Sequence, residues 1–271
     1  MPSGALVARR GASADLSLWR RFPSRVGTFC LVELQKLRHD RTELFTRAVQ
    51  PILWLLVFGE TFNKIHAIPT GDIPYLDFLA PGIIAQSGLF IAIFYGIQII
   101  WERDAGMLTK LLVTPTPRSA FVLGKAFAAS IRAMAQVVFV LAASLLLGVA
   151  LTVNPLRIAG TFAAVALGAA FFSCLSMSIA GVVLKRDRLM GIGQMITMPL
   201  FFASNALYPV SIMPGWVKAV SLVNPLTYEV DALRGLLLGT TSHLLLDFGV
   251  LALAVLIGVT VSSNLIDRLA R

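Results

Sequence analysis

Six long apolar runs constrain this chain more than any other feature of its sequence. They cover residues 44–62, 78–100, 120–151, 158–184, 189–210 and 244–265. Each is near or above the roughly 20 residues that an α-helix needs to cross the hydrocarbon core of a bilayer. Only 14% of the residues are charged and 57% are hydrophobic, whereas soluble proteins are about a quarter charged. We therefore expect an all-α integral membrane protein with six transmembrane helices.

The positive charges are distributed unevenly between the loops. Of the 23 Lys and Arg residues, 19 lie before residue 48 or in the segments 102–132, 185–188 and 268–271, and the alternate loops hold the other four. Cytoplasmic loops carry an excess of Lys and Arg, so this pattern predicts that both termini are cytoplasmic. It also accounts for the net charge of +9 without nucleic-acid binding.

The chain divides into a cytoplasmic leader, residues 1–43, and a membrane domain, residues 44–271. Within the leader, the segment 23–43 has its apolar residues on one helical face, which is typical of a helix lying in the membrane interface. The alternative is a solvated leader helix.

A polar segment separates the second apolar run from the third. Glu102, Arg103 and Asp104 are too costly to leave in hydrocarbon, so this segment should lie outside the membrane. The third run carries Lys125 and Arg132 in its first third, and we expect its helix to begin in the cytoplasm.

Apolar residues within this segment follow helical spacing and are ended by a proline. They are Met107, Leu108, Leu111 and Leu112, and Pro115 stops the helix because it lacks an amide hydrogen. Large apolar side chains exposed on a short helix indicate a partner surface. The hypothesis is that the partner is a separate ATPase subunit; the alternative is an ordinary loop.

The sequence contains no recognised catalytic motif. Its Gly124-Lys125 pair lacks the upstream glycine of a phosphate-binding loop, and its three histidines are far apart. We expect a non-catalytic chain with no metal and no cofactor of its own.

Prolines at positions 199, 209, 214 and 225 interrupt the apolar stretch before the last run. They predict a broken span followed by short helices that enter the outer leaflet, which is tolerated only where protein or a cavity receives the backbone. Pro214 and Pro225 suit first helical positions, the latter behind Asn224 as an N-cap. Trp216 and Tyr228 should mark the interface, and Glu229, Asp231 and Arg234 the outer rim.

The fourth run carries small residues at four-residue spacing, a pattern with two explanations. It suits either a subunit interface or packing within one subunit; the residues are Ala166, Ala169, Ala170, Ser173 and Cys174.

Aromatic residues in the apolar runs also have two explanations. They form a candidate apolar substrate cavity, or they merely pack against helices and lipid; they are Phe90, Phe94, Tyr95, Phe171, Phe172, Phe201 and Phe202.

Four short motifs, in order and at similar spacing, resemble the permease subunits of type-2 ABC exporters, and among those the daunorubicin-type multidrug resistance permeases. The motifs are Leu79-Ala80-Pro81-Gly82-Ile83; Glu102-Arg103-Asp104-x-Gly106-x-Leu108 continuing to Leu111 and Pro115; Gly124-Lys125; and Asn224-Pro225-Leu226-Thr227-Tyr228 with Arg234. The likeness covers residues 45–265. Family members often carry an acid after the Gly-x-Leu triplet, where this chain has Thr109 and Lys110.

The resemblance implies a dimer of six-helix permeases, formed with a second copy or a related permease, in a bacterial plasma membrane. It implies two ATP-binding cassette ATPase subunits that hold ATP and Mg. It implies that residues 102–115 are the coupling element, with Glu102, Arg103, Asp104, Gly106, Met107, Leu108, Leu111, Leu112 and Pro115 in contact with the ATPase. It further implies a re-entrant helical pair as an outer gate, involving Pro209, Pro214, Trp216, Asn224, Pro225, Tyr228, Glu229 and Arg234.

The expected function is ATP-driven export of a hydrophobic drug-like or lipid substrate. One alternative is a permease for a lipid-linked polysaccharide. Another is a self-contained secondary transporter or channel, which needs paired intramembrane charges, a polar pore or an internal repeat, and none is apparent in the sequence.

Overall fold

The computed structural model describes residues 24, 26–28, 30–31, 35, 41–65, 68–71, 73–106, 117–152 and 154–269. Within these ranges the chain is helical or irregular, with no strand. The predicted coupling helix, residues 107–116, lies outside the described residues, as does most of the predicted interfacial helix, residues 23–43.

Ten α-helices are described in chain order, with two short helices of other types. They are α1 (Arg41–Trp54), α2 (Glu60–Ile65), α3 (Tyr75–Ile97), α4 (Ile99–Asp104), α5 (Arg118–Leu146), α6 (Pro155–Val183), α7 (Arg186–Phe202), α8 (Gly215–Val223), α9 (Pro225–Leu238) and α10 (Leu244–Leu269). A π-helical turn, Leu55–Gly59, joins α1 to α2 without a break, and a 3₁₀ turn, Val210–Ile212, precedes α8.

Among the described residues, four helical segments are long and apolar enough to cross a membrane. They are Tyr75–Asp104, Arg118–Leu146, Pro155–Val183 and Leu244–Ile266. They coincide with the predicted second, third, fourth and sixth runs. The first run is the continuous helix from α1 to α2, and the fifth is α7, which is 17 residues long and ends at Phe202 rather than at residue 210. The six-span count therefore stays a prediction.

The core of the bundle is α3. A helix that is apolar on all sides is buried on all sides, and α3 is buried throughout except at Asp77, Phe90 and Phe94. The helices α5, α6 and α9 pack against it, while α10 packs on α6. The Ser176 hydroxyl of α6 donates to the Ile93 carbonyl oxygen of α3 at 2.7 Å, which draws these two helices together.

The small residues of α6 divide between the two alternatives left open by the sequence. Ala169, Ser173 and Cys174 are fully buried inside the subunit, where Cys174 faces Gly258 of α10. Packing within one subunit therefore explains these three. Ala166 and Ala170 are partly exposed and line an apolar groove of about 710 Å³ beside α5.

A buried irregular loop, residues 203–208, follows α7. Ser204, Asn205, Ala206 and Leu207 are each at most 8% exposed, although loops usually run over protein surfaces. The loop lies directly on α3, because a Cβ atom built on Gly82 would stand 2.3 Å from the Ala206 carbonyl oxygen. Only glycine at position 82 leaves room for this contact.

Replacing Gly82 with alanine should therefore destabilise the chain by about 1–3 kcal/mol, the usual cost of overpacking a core. The matched control is Gly249→Ala on α10, where an added Cβ meets nothing within 4 Å. Thermal unfolding of the detergent-solubilised chain measures both variants. Equal unfolding temperatures for the two variants would contradict the close contact between the loop and α3.

Candidate functional site

The two ends of the polar segment are joined by a buried ion pair. The Lys125 ammonium of α5 lies 2.5 Å from a carboxylate oxygen of Glu102 on α4, and their side chains are only 5% and 12% exposed. The ammonium also lies 5.1 Å from the ring centroid of Tyr95. Because α4 precedes the segment 107–116 and α5 follows it, this ion pair joins the two helices that flank the segment.

Two further contacts extend the link to neighbouring helices. Arg103 donates to the Leu184 carbonyl oxygen, immediately after α6, at 2.9 Å. The Arg186 guanidinium, at the start of α7, lies 5.0 Å from the Trp101 ring. We call Trp101, Glu102, Arg103, Lys125 and Arg186 the coupling base. It connects the ends of α4, α5, α6 and α7.

The predicted ATPase-contacting residues are partly described. Glu102 and Arg103 lie in the coupling base, and the Asp104 carboxylate pairs with Arg103 at 2.8 Å on the surface. Gly106 has a φ of 68°, the left-handed conformation with which many helices end, and so stops α4. The remaining residues of that set lie outside the described ranges, and their common apolar face stays a prediction; they are Met107, Leu108, Leu111, Leu112 and Pro115.

Lys125 is more buried than its predicted place near the cytoplasm suggests. Its exposure is 4%, and protein surrounds it instead of water. Glu102 makes this burial tolerable, because a buried charge needs a partner with good geometry. The signal in the sequence was a single lysine within an apolar run, which does not identify the partner.

The structure contains the predicted pair of short helices, α8 and α9. Asn224 caps α9 by accepting from the Leu226 amide at 3.1 Å, with Pro225 as the first helical residue, as predicted. Pro214 immediately precedes α8 instead of starting it. Asn224 also donates to the Leu200 carbonyl oxygen at 2.7 Å, which ties the helix pair to α7.

The other residues predicted for this region occupy different environments. Trp216 is 73% exposed, as an interfacial residue would be. The partly exposed Tyr228 donates its hydroxyl to the Leu222 carbonyl oxygen at 2.7 Å and so joins α9 to α8. Pro209 precedes the 3₁₀ turn that leads to α8.

Arg234 holds the buried loop in place from α9. Its Nη2 donates to the Asn205 carbonyl oxygen at 2.6 Å and to the Phe78 carbonyl oxygen at 3.3 Å. The guanidinium also stacks over the Phe78 ring, 3.6 Å from its centroid, and Asn205 donates to Asp231 at 2.5 Å. The prediction that Arg234 lies at the outer rim is wrong, because its exposure is 7% and its partners are buried backbone carbonyls.

Glu229 is also buried instead of lying at the rim. It is 0% exposed, and within the described part of the chain neither carboxyl oxygen has a hydrogen-bond partner. Gly168 of α6 makes room for it, because a Cβ there would stand 2.0 Å from one of its oxygens. Gly88 of α3 lies next to the other oxygen, where a Cβ at 3.8 Å would be in ordinary contact. The prediction failed because the sequence gives no sign that Gly88 and Gly168 face the same side chain.

The seven aromatic residues of the candidate substrate cavity are dispersed. Phe90 and Phe94, with ring centroids 6.4 Å apart, line a small polar cavity beside α1. Phe172 and Phe201 are fully buried in the core, and Phe171 packs against Phe172. Tyr95 lies beneath the Arg132 guanidinium at 4.2 Å, whereas Phe202 is 43% exposed. A substrate role for these residues stays a prediction.

A double-mutant cycle tests the contact between Glu229 and Gly168. Gly168→Ala should lower the thermal unfolding temperature of the chain, because the carboxyl has no space to move into. Adding Glu229→Ala should recover most of that loss, giving a coupling energy of about 0.5–3 kcal/mol, as for other contacting residues. Additive effects of the two substitutions would show that the side chains do not meet.

Comparison with known proteins agrees with this architecture. The family model described as ABC-2 type transporter matches residues 26–238, most of the chain. A candidate transport permease of Cyanophora paradoxa is 31% identical over 203 residues, which are 73% of this chain and 69% of that protein. The daunorubicin resistance ABC transporter permease protein of Streptomyces coeruleorubidus is 25% identical over 210 residues, 76% of this chain and 72% of its own.

A third relative is nodulation protein J of Rhizobium leguminosarum bv. viciae, 25% identical over 222 residues, 80% of this chain and 84% of its own. The resemblance to permeases of the daunorubicin resistance type is thus confirmed, and the apolar helices agree with a multi-pass membrane permease. The chain belongs to the ABC-2 type transporter family.

Proposed function

We propose that this chain is the membrane subunit of an ATP-driven exporter that moves a hydrophobic drug-like or lipid substrate out of the cytoplasm or the inner leaflet. Two copies of an ATP-binding cassette ATPase, which bind ATP and Mg, dock on residues 102–115. The permease acts as a dimer with a second copy or a related chain, and both termini are cytoplasmic in a bacterial plasma membrane.

The observation that carries this proposal is the coupling base. A segment that receives force from a partner is useful only if its attachment points resist local bending. Here the two helices that flank the segment 107–116 are joined through Glu102 and Lys125, in a buried site where the ion pair is weakly screened. Arg103 and Arg186 extend the same rigid connection to the ends of α6 and α7.

The proposed mechanism transmits motion from the ATPase through this base. Closure of the two ATPase subunits pushes on residues 102–115, and the force enters α3 through Trp101 and α5 through Lys125. On the outer side, α8 and α9 close the path, and Arg234 couples them to α3 through Phe78. Movement of α3 thus affects both ends of the permease.

Support for the substrate class comes from the names of two relatives. One is named for daunorubicin resistance and another for doxorubicin resistance.

Introducing a charge at Leu111 tests the docking proposal. Leu111→Asp should abolish co-purification of the chain with the ATPase encoded nearest to it, because it places a carboxylate on the apolar face. Thr109→Asp is the matched control, since helical spacing puts position 109 on another face, and it should retain the ATPase. Retention of the ATPase by the Leu111 variant would refute docking through this face.

Neutralising the ion pair tests force transmission separately from folding. Lys125→Met alone should destabilise the chain by about 3–5 kcal/mol, because it removes the ammonium that compensates the buried charge of Glu102. The double variant Glu102→Gln with Lys125→Met should regain most of that stability and still hold the ATPase. It should nevertheless lose most of the stimulation of ATP hydrolysis by substrate, measured with the complex in proteoliposomes.

A surface substitution provides the control for this experiment. Arg268→Gln removes a charge at an exposed position near the end of α10, outside residues 102–115 and outside the coupling base, and exposed charges of this kind contribute little. Its stimulation should match that of the native complex. Native stimulation in the double variant would exclude the coupling base as the path of force.

A further inference from the structure

The proposed mechanism does not use the apolar groove beside α5. The groove has a volume of about 710 Å³, and its lining comes from α5, α6, α10 and the leader. Large side chains such as Leu123, Phe127 and Met134 line it together with the small residues Ala166 and Ala170. Pockets that hold small molecules have volumes of about 300–1,000 Å³, so this groove is large enough for a ligand.

The lining of the groove offers an occupant almost no hydrogen bond. No charged residue of the described chain lines it, and Cys30 and Ser130 are its members with a polar side-chain atom. The Ser130 hydroxyl donates to the carbonyl oxygens of Ala126 at 3.0 Å and Ala166 at 2.7 Å, so its hydrogen is already used. A thiol is only a weak donor. The occupant must therefore be apolar, because a polar group buried here would lose its bonds to water.

The groove lies on helices that are apolar enough to cross a membrane. Its lining on α5 falls within residues 123–134, on α6 within residues 166–170, and on α10 at Val255, all inside three of the four candidate spans. Beside Val255, the side chains of Leu253 and Leu256 are 57% and 64% exposed, so the apolar surface continues past the groove. In a membrane this surface meets hydrocarbon, and the groove opens onto acyl chains of lipids.

The length of the groove agrees with that of one acyl chain. Leu123 and Met134 are eleven residues apart on α5, which is about 17 Å at 1.5 Å per residue. The hydrocarbon core is about 30 Å thick, so one leaflet is about 15 Å deep. The protein leaves space on the leader side as well, because a Cβ built on Gly27 would meet nothing within 4 Å.

We propose that the apolar groove binds one acyl chain of a membrane phospholipid, which packs between the leader and the helices α5, α6 and α10. The chain fills the space that Ala166 and Ala170 leave beside α5 and joins the leader to the membrane domain. This lipid site goes beyond the proposed export function and does not depend on it.

Photo-crosslinking tests the site without any substitution. The full chain is reconstituted in phospholipid vesicles that contain a phosphatidylcholine with a diazirine on one acyl chain, and labelled peptides are identified by mass spectrometry. Residues 123–134 and 166–170 should be labelled about threefold or more above Ile257 and Val261 of α10, because a groove contacts the chain from several sides. These two reference residues are 53% and 42% exposed and lie outside the lining.

Two results of this experiment would overturn the proposal. Equal labelling of the groove and of the reference residues would show ordinary surrounding lipid only. Absence of label in the groove, with two chains joined through Cys30 by a bifunctional maleimide, would show that a second copy covers it. Cys174 does not interfere with the second measurement, because it is fully buried.

Filling the groove from two different elements assigns the bound lipid to it. Ala170→Phe should remove one tightly bound phospholipid per chain, counted by native mass spectrometry after purification in a mild detergent. Gly27→Leu should do the same from the leader side, where the new side chain meets open space. Ala163→Phe is the matched control, since it adds the same side chain at an exposed position of α6 outside the lining, and it should retain the lipid.

Thermal unfolding separates loss of lipid from loss of the fold. Adding phospholipid to the delipidated chain should raise the unfolding temperature of the native and Ala163→Phe chains, because a ligand of the folded state stabilises it. The two filling variants should unfold cooperatively and show no such rise. Native lipid retention in both filling variants would overturn the assignment to this groove. Co-purification of the ATPase reports separately on the proposed function.

Discussion

The interaction on which the loop 203–208 depends is the bonding of Arg234 to backbone carbonyl oxygens. A buried irregular segment has no access to water, so each carbonyl must find a donor within the protein. Arg234 supplies donors to Asn205 and Phe78 at once. The loop 203–208 can therefore leave helical geometry inside the bundle, and α8 and α9 can fold back beside it.

A second constraint joins Arg234 and the loop 203–208 to the coupling base. Phe78, which binds Arg234, and Glu102, which binds Lys125, lie near opposite ends of the same segment, Tyr75–Asp104. At 1.5 Å per residue they are about 36 Å apart along the helix. Because α3 is buried on nearly all sides, it cannot move without moving its neighbours. One packed helix thus connects Arg234 and the loop 203–208 with the coupling base.

The sequence predicted those parts of the structure that depend on local chemistry. Proline and asparagine signals placed α8 and α9 to within one residue, because capping is decided by adjacent residues. The end of α7 was missed, since the stretch 203–208 carries only two turn-forming residues, Ser204 and Asn205. The side chains that satisfy its irregular backbone, Tyr75 and Arg234, lie far away in the chain. The burial of Glu229 was missed for a similar reason: it requires Gly168, far away in the chain, to leave space for the carboxyl.

Gln98 separates α3 from α4 by a single residue, yet the helix continues through it. Its φ and ψ of −56° and −18° are those of a right-handed helix, and the Glu102 amide donates to its carbonyl oxygen at 3.1 Å. Lys125 of α5 contacts Glu102 on one side of Gln98 and Tyr95 on the other. In the proposed mechanism, a push on the coupling base therefore reaches α3 and α5 together.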